Sequence, residues 1–164
     1  LGMLKNRFKH ILVTPGNHDW LAEEQPALCK ETLTNATLLI HEPFVIGNIK
    51  FFLSPYTPEF NSWAFNVERG HKIRNLWKEI PDDTNVLITH GMPHGILDVL
   101  SNGTSVGCKD LFYRILEIKP DVYVGGHLHT SGGQATSFNG TSFYNASVCD
   151  EGYRPVNKIH VIDL

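Results

Sequence analysis

Three short apolar runs, each ending in a polar cluster rich in glycine and histidine, constrain this chain more than any other feature. The runs cover residues 11–13, 86–88 and 122–124 and are typical of buried strands. The clusters that follow them are Pro15-Gly16-Asn17-His18-Asp19, Thr89-His90-Gly91 and Gly125-Gly126-His127-Leu128-His129. Because parallel strands bring their carboxyl ends to one edge of a sheet, the three clusters can converge on one point.

The rest of the chain alternates helical and strand patterns, and its 164 residues predict a single domain over 1–164. A hairpin is expected at the Gly47-Asn48 turn and a structured loop over 54–66, and residues 1–11 resemble the tail of an amphipathic helix. Strands are predicted over 10–14, 37–40, 43–46, 49–53, 86–89, 121–124, 141–146 and 158–163, and helices over 23–33, 71–80 and 109–118. Strands that alternate with helices and then follow one another predict an α/β fold with more than one sheet, part parallel and part antiparallel.

Charge and cysteine content narrow the class of protein. A net charge of -3 gives no electrostatic footprint for nucleic acid or for an anionic membrane. No apolar run reaches the roughly 18 to 20 residues of a membrane-spanning helix. Cys29, Cys108 and Cys149 form no C-x-x-C pair, and the four N-x-S/T triplets are not accompanied by a signal peptide. We therefore expect reduced thiols and a cytoplasmic location.

The side chains in the three clusters suit a metal site. In an extended segment His127 and His129 would point to the same face, and could reach two metals spaced roughly 3.5 to 4 Å apart. The Asn17 oxygen can be a neutral ligand, while His18 would be free to donate a proton and Asp19 would orient it or hold the turn. Imidazole nitrogen and oxygen donors suit Zn, Mn or Fe.

Each cluster taken singly is also explained by an ordinary turn or surface loop. His94 either lines the mouth of such a site or is simply exposed, and exposure is the favoured reading. Four other histidines lie in contexts that assign them no role: His10, His41, His71 and His160. The conjunction of the three clusters, each behind a strand, is what indicates a hydrolytic metal centre.

The three clusters, in this order, resemble the calcineurin-like metallophosphoesterases, whose pattern runs Asp-x-His, Gly-Asp, Gly-Asn-His-Asp/Glu, a strand-end His and Gly-His-x-His. The stretches 54–56, 63–65 and 89–93 resemble the brain-expressed metallophosphoesterase-domain subgroup. This resemblance implies a four-layer α/β/β/α sandwich of two mixed sheets. It also implies that Asn17, His90 and His127 bind one metal, that His129 reaches toward a second, and that His18 is the acid. The reaction implied is hydrolysis of a small-molecule phosphodiester with two divalent ions, Mn, Fe or Zn.

The first two motifs of that pattern are missing, since no Asp-x-His precedes Gly16. We therefore expect the carboxyl-terminal portion of a longer gene product, binding at most one metal well and turning over slowly, with exposed strand edges that favour a homo-oligomer. A non-catalytic scaffold or interaction module is the alternative from another class. A zinc hydrolase of a different fold is a third reading, although its H-x-H-x-D-H or H-E-x-x-H signature is absent.

Overall fold

A six-stranded mixed sheet forms the centre of the fold in the computed structural model, which describes Leu4 and residues 6–164. The strands are β1 (Leu12–Val13), β2 (Thr37–Leu38), β3 (Glu42–Ile46), β4 (Ile49–Ser54), β5 (Thr57–Pro58), β6 (Asn66–Val67), β7 (Val86–Thr89), β8 (Val122–Gly125), β9 (Ala135–Phe138) and β10 (Thr141–Asn145). The α-helices are α1 (Trp20–Glu24), α2 (Pro26–Thr32), α3 (His71–Trp77) and α4 (Lys109–Ile118), and His129–Ser131 form a 3₁₀ turn.

The order of the strands brings four carboxyl ends to one edge. The sheet runs β3-β4-β7-β8-β10-β9, and β4, β7, β8 and β10 are mutually parallel. Antiparallel partners, β3 and β9, lie at the two sides. The segments that follow β7 and β8, which carry the predicted ligands, therefore leave the sheet at the same edge.

Two helices cover one face of this sheet. Helix α4 places Leu111 and Ile115, four residues apart, on its buried side, and Trp77 of α3 packs with them. Cys108 is the N-cap of α4, and its sulfur accepts from the Leu111 amide at 3.4 Å and from the Trp77 indole at 3.3 Å. The sheet contributes Phe52, Leu87, Tyr123 and Phe143 to the same core. Burial of each of these large side chains stabilises the fold by about 1.5–3 kcal/mol.

A smaller unit carries the first predicted cluster. Strands β1 and β2 form a separate two-stranded parallel sheet; α2 lies against β2, and α1 packs against α2. Ala22 of α1 packs with Ala64 and Phe65 from the loop after β4. That contact joins the unit to the loop beside the main sheet.

The predicted α/β fold with parallel and antiparallel pairing is confirmed, but two local predictions are wrong and one strand was missed. Residues 158–163 contain no strand, since Ile159 and Val161 are 77% and 88% exposed and have no apolar surface to cover them. The predicted helix over 23–33 is two helices that meet at Gln25, because Pro26 starts a new helix at its first position. Strand β9 was not predicted.

Several other features bear on the predictions. The predicted amino-terminal helix falls partly on residues 1–3 and 5, which lie outside the described residues, while Leu4 accepts turn bonds from Arg7 and Phe8. All three cysteines are free thiols, as predicted. Within the part of the chain that the structure describes, none of the helices is long and apolar enough to cross a membrane.

Candidate metal centre

Hydrogen bonds continue past the ends of the parallel strands and fix the segments that follow them. The amide of His90 donates to Ser54 O at 3.0 Å, and the amide of Gly126 donates to His90 O at 3.0 Å. Ala146 N donates to Gly125 O at 2.7 Å in the same way. The backbone that carries His90 and His127 is thus an extension of the sheet.

The turn after β1 is held by Asp19. Its carboxylate accepts from the Gly16 amide at 2.7 Å, and its own amide donates to Gly16 O at 3.0 Å. The carbonyl of Asn17 accepts from Ala64 N at 3.2 Å, which ties the turn to the loop after β4. Of the two roles proposed for Asp19 from the sequence, this geometry supports holding the turn.

Glycine at position 16 allows this turn to approach His90. A Cβ atom at Gly16 would lie 2.4 Å from His90 Cε1, 2.7 Å from Nδ1 and 2.8 Å from Nε2. These separations are far below ordinary carbon contacts of about 3.5–4.0 Å. The His90 ring therefore packs directly on the backbone of the turn, and a side chain at position 16 would displace it.

Asn17, His90 and His127 come together. Asn17 Oδ1 lies 2.5 Å from His90 Nε2, and the ring centroids of His90 and His127 are 4.9 Å apart. Asn17 is 2% exposed, and its Nδ2 atom is buried without a hydrogen-bond partner. One amide oxygen and two imidazoles therefore converge at the strand ends.

The segment that carries His127 and His129 is not extended, so the reason given for placing both on one face is wrong. His127 has a left-handed backbone with φ of 67°, and His129 begins a 3₁₀ turn. Both side chains nevertheless line the same cleft. His129 Nδ1 lies 2.8 Å from Asp150 O and donates to it, which leaves Nε2 as the ring nitrogen that carries a lone pair.

Burial keeps the two inner imidazoles neutral. It lowers the pKa of His90 to about 3, with smaller contributions from the nearby rings of His127 and His18. Burial likewise lowers the pKa of His127 to about 4, again with help from neighbouring rings, those of His129 and His18. Neutral imidazole is the form that binds metal ions, so both rings are competent ligands near neutral pH.

His18 lies at the exposed lip of the cleft. Its ring packs against Trp63 with centroids 4.3 Å apart. Phe60 continues the same wall, 5.2 Å from Trp63 and 5.2 Å from His127 between centroids. The cleft bounded by this wall and by the candidate ligands has a volume of about 670 Å³.

The converging donors fit a divalent cation in part. Among the described residues, no three His, Cys, Asp or Glu side chains form a group that could hold a metal ion. The set that does converge contains one amide, Asn17, whose buried Nδ2 is unpartnered, with the neutral rings of His90 and His127. In the structure His90 Nε2 donates to Asn17 Oδ1, so binding both atoms to one cation requires that proton to leave Nε2.

Several cleft residues carried no sequence signal. Phe60 belongs to an aromatic loop but lacks a motif, and Ser147 and Tyr153 come from the segment after β10. Tyr153 is 75% exposed and meets the His129 ring edge-on at 5.2 Å. By contrast His94 does not line this cleft; it bonds Ser105 at 3.0 Å and its side chain is 37% exposed.

Comparison with known proteins places the chain in a family. The sequence model of the calcineurin-like phosphoesterase family matches residues 1–131. The chain belongs to the calcineurin-like phosphoesterase family. Proteins of this family generally depend on divalent metal ions.

Relatives from animals agree with the assignment. The chain is 38% identical over 135 residues to human metallophosphoesterase domain-containing protein 1, covering 80% of this chain and 41% of that protein. It is 32% identical over 136 residues to a UPF0046 protein of Caenorhabditis elegans, covering 82% of this chain and 34% of the other. The chain thus spans less than half the length of either relative.

A crystal structure with 16% sequence identity superimposes with a TM-score of 0.64, over 88% of this chain and 60% of the other. That likeness concerns the fold alone.

Proposed function

We propose that this chain is a metal-dependent phosphodiesterase whose candidate centre binds a divalent ion, Mn, Fe or Zn, through Asn17, His90 and His127. The observation that carries the proposal is the contact of Asn17 Oδ1 with His90 Nε2 at 2.5 Å, beside the His127 ring. A bound cation would neutralise phosphate charge and lower the pKa of water, which is what hydrolysis of a phosphoester requires. His129, whose Nε2 keeps its lone pair, would extend the site to a dinuclear one.

The remaining steps of the proposed reaction are assigned to different residues of the chain. Asn17 and the two inner histidines orient the phosphate by holding its counter-ion. His18, exposed at the lip and braced by Trp63, donates a proton to the departing alkoxide oxygen. Asp19 keeps the turn that carries Asn17 and His18 closed.

The substrate we propose is a small molecule, since the net charge of -3 offers no basis for binding nucleic acid. A cytoplasmic location and self-association through strand edges stay predictions from the sequence.

The test compares two substrates with leaving groups of different basicity. With Mn²⁺, Fe²⁺ or Zn²⁺ added, the chain should hydrolyse bis(p-nitrophenyl) phosphate, and a chelator should abolish turnover. His18→Gln should slow a phosphodiester with an alkyl leaving group by about 10²–10⁴-fold, because that alkoxide needs a proton, and should affect the p-nitrophenyl ester far less. His71→Gln, on the exposed side of α3, is the matched control and should behave as the wild type.

Turnover that is indifferent to the chelator would refute the proposal. Tight metal binding without hydrolysis of any ester would instead favour the non-catalytic scaffold.

A further inference from the structure

A second, more enclosed cavity of about 240 Å³ adjoins the cleft. We call it the apolar chamber; it is lined mainly by Pro58, Phe60, Met92, Leu100, Val106 and Leu128. It lies between the loop after β4, the segment 91–107 after β7, and the segment after β8.

The chamber adjoins the candidate metal centre. Phe60, Leu100, His127 and Leu128 line both the chamber and the cleft. His127, one of the candidate ligands, is therefore part of the wall that the two cavities share.

Two polar side chains around the chamber, Thr57 and Arg69, make hydrogen bonds to the protein. Thr57 Oγ1 accepts from Asn66 Nδ2 at 3.1 Å. Arg69 donates from Nη1 to Gly107 O at 3.0 Å and from Nη2 to Val106 O at 2.7 Å. The surface presented to a ligand is consequently apolar, and a charged or polyhydroxylated group would lose its hydration there without replacement bonds.

The wall formed by segment 91–107 is pre-formed. Asp98 is fully buried, and its Oδ2 accepts from Ser105 Oγ and, at 3.0 Å, from the Gly107 amide. Leu100 N donates to Thr104 O at 2.9 Å, which closes the tip of the same segment. A pre-formed wall binds a ligand without the entropy cost of ordering a loop.

We propose that the apolar chamber is a subsite for a compact apolar ester group, about the size of one aromatic ring, on the phosphodiester substrate. This proposal rests on the proposed function, since the phosphate must be held at the neighbouring centre. An apolar cavity of about 150 Å³ is enough to bind benzene, so the chamber has room for a single ring. The substrate class it selects is phosphodiesters with an aryl or similarly compact apolar group.

The test follows Met92, whose side chain lines the chamber and is 2% exposed. The chain has two methionines, so ¹³C-methyl methionine labelling gives two signals, and Met92→Leu assigns them. With Zn²⁺ present, which is diamagnetic, phenylphosphonate should shift the Met92 signal and bind at least about tenfold more tightly than methylphosphonate. Equal affinity of the two phosphonates, or a Met92 signal that phenylphosphonate leaves unmoved, would overturn the proposal.

A matched pair of variants separates chamber filling from a general effect on the segment. Val106→Phe fills the chamber and should abolish the preference for phenylphosphonate. Val99→Phe, at a position in the same segment that is 47% exposed and outside the chamber, should preserve it. Loss of the preference in both variants, or in neither, would count against the subsite.

Titration with benzene alone distinguishes failure of the subsite from failure of the proposed function. A Met92 shift with benzene, while neither phosphonate binds with Zn²⁺, would refute the metal centre and the ester subsite with it. Phosphonates that bind equally well, without a benzene shift, would refute the chamber alone.

Discussion

The substitution Gly16→Ala tests whether the turn after β1 and the ring of His90 are fitted to each other. Gly16 does not adopt a positive φ, so alanine meets no backbone strain there. Its Cβ would lie 2.4–2.8 Å from three atoms of the His90 ring. Relieving these contacts requires a displacement of about 1 Å, since carbon atoms pack at about 3.5–4.0 Å.

We expect two consequences of that displacement. Overpacking of this kind lowers the free energy of unfolding by about 1–3 kcal/mol. The same shift separates His90 Nε2 from Asn17 Oδ1 or changes their angle, and metal distances tolerate only about 0.2 Å, so the affinity for Zn²⁺ should fall by at least about tenfold. Urea denaturation in the presence of a chelator measures the first effect, and isothermal titration with Zn²⁺ measures the second.

A double-mutant cycle makes the reasoning refutable. In the His90→Ala background the clash is absent, so Gly16→Ala should cost almost nothing or stabilise by about 0.4–1 kcal/mol through the unfolded chain. A Gly16→Ala variant as stable as the wild type would show that the ring is not fitted to the turn. An equal loss of unfolding free energy on Gly16→Ala in the wild-type and His90→Ala backgrounds would show the same.

Two further predictions concern buried groups away from the centre. Burial lowers the pKa of His41, so the folded chain binds fewer protons than the unfolded one, and the free energy of unfolding should fall as pH drops below about 6.5. Without metal, the urea midpoints at about pH 7 and about pH 5 should differ less in His41→Asn than in the wild type. Asparagine is chosen because it tolerates the left-handed φ of 57° at this position. A midpoint difference equal to that of the wild type would show that His41 does not contribute to the pH dependence of stability. Burial raises the pKa of the Cys108 thiol. A thiol reagent at neutral pH should therefore modify Cys29 and Cys149 in the folded chain, and Cys108 only after unfolding. Rapid reaction of all three thiols in the folded chain would contradict the burial of Cys108.

The sheet could be predicted because its strands have strong local signals. The apolar runs at β7 and β8 and the Gly47-Asn48 hairpin are each defined within a few residues, and the structure confirms them. Strand β9 was not predicted from the sequence because all four of its residues, from Ala135 to Phe138, are exposed and have no apolar alternation. The Asn139-Gly140 pair that joins it to β10 was the available signal, since both residues have positive φ in that turn.

The candidate site was predictable in its members and not in its geometry. Asn17, His90 and His127 were identified from clusters behind strands, and the parallel order of β7 and β8 brings His90 and His127 to one edge. Asn17 follows β1, which lies in a separate sheet and not in the same one as predicted, and it reaches His90 through the Asp19 turn and the bond from Ala64. The left-handed backbone at His127 depends on the bonds made around it, which no local pattern encodes. Phe60 and Tyr153 reach the cleft through long-range packing, so sequence spacing gave no reason to include them.

One side of the candidate centre is held by the large sheet and the other by a small two-stranded sheet. This difference in packing determines how metal binding would couple to folding. His90 and His127 follow β7 and β8, the two central members of a four-strand parallel array whose core is almost fully buried. Asn17 follows β1, a strand of two residues in a two-stranded sheet, and is held to the rest by the Ala64 bond and the Asp19 turn. Segments with so few contacts open at low free-energy cost. A cation bound by both sides, as proposed, would stabilise only the closed arrangement, so part of its binding free energy would go into ordering the turn, and metal affinity would also be a measure of the stability of the smaller unit.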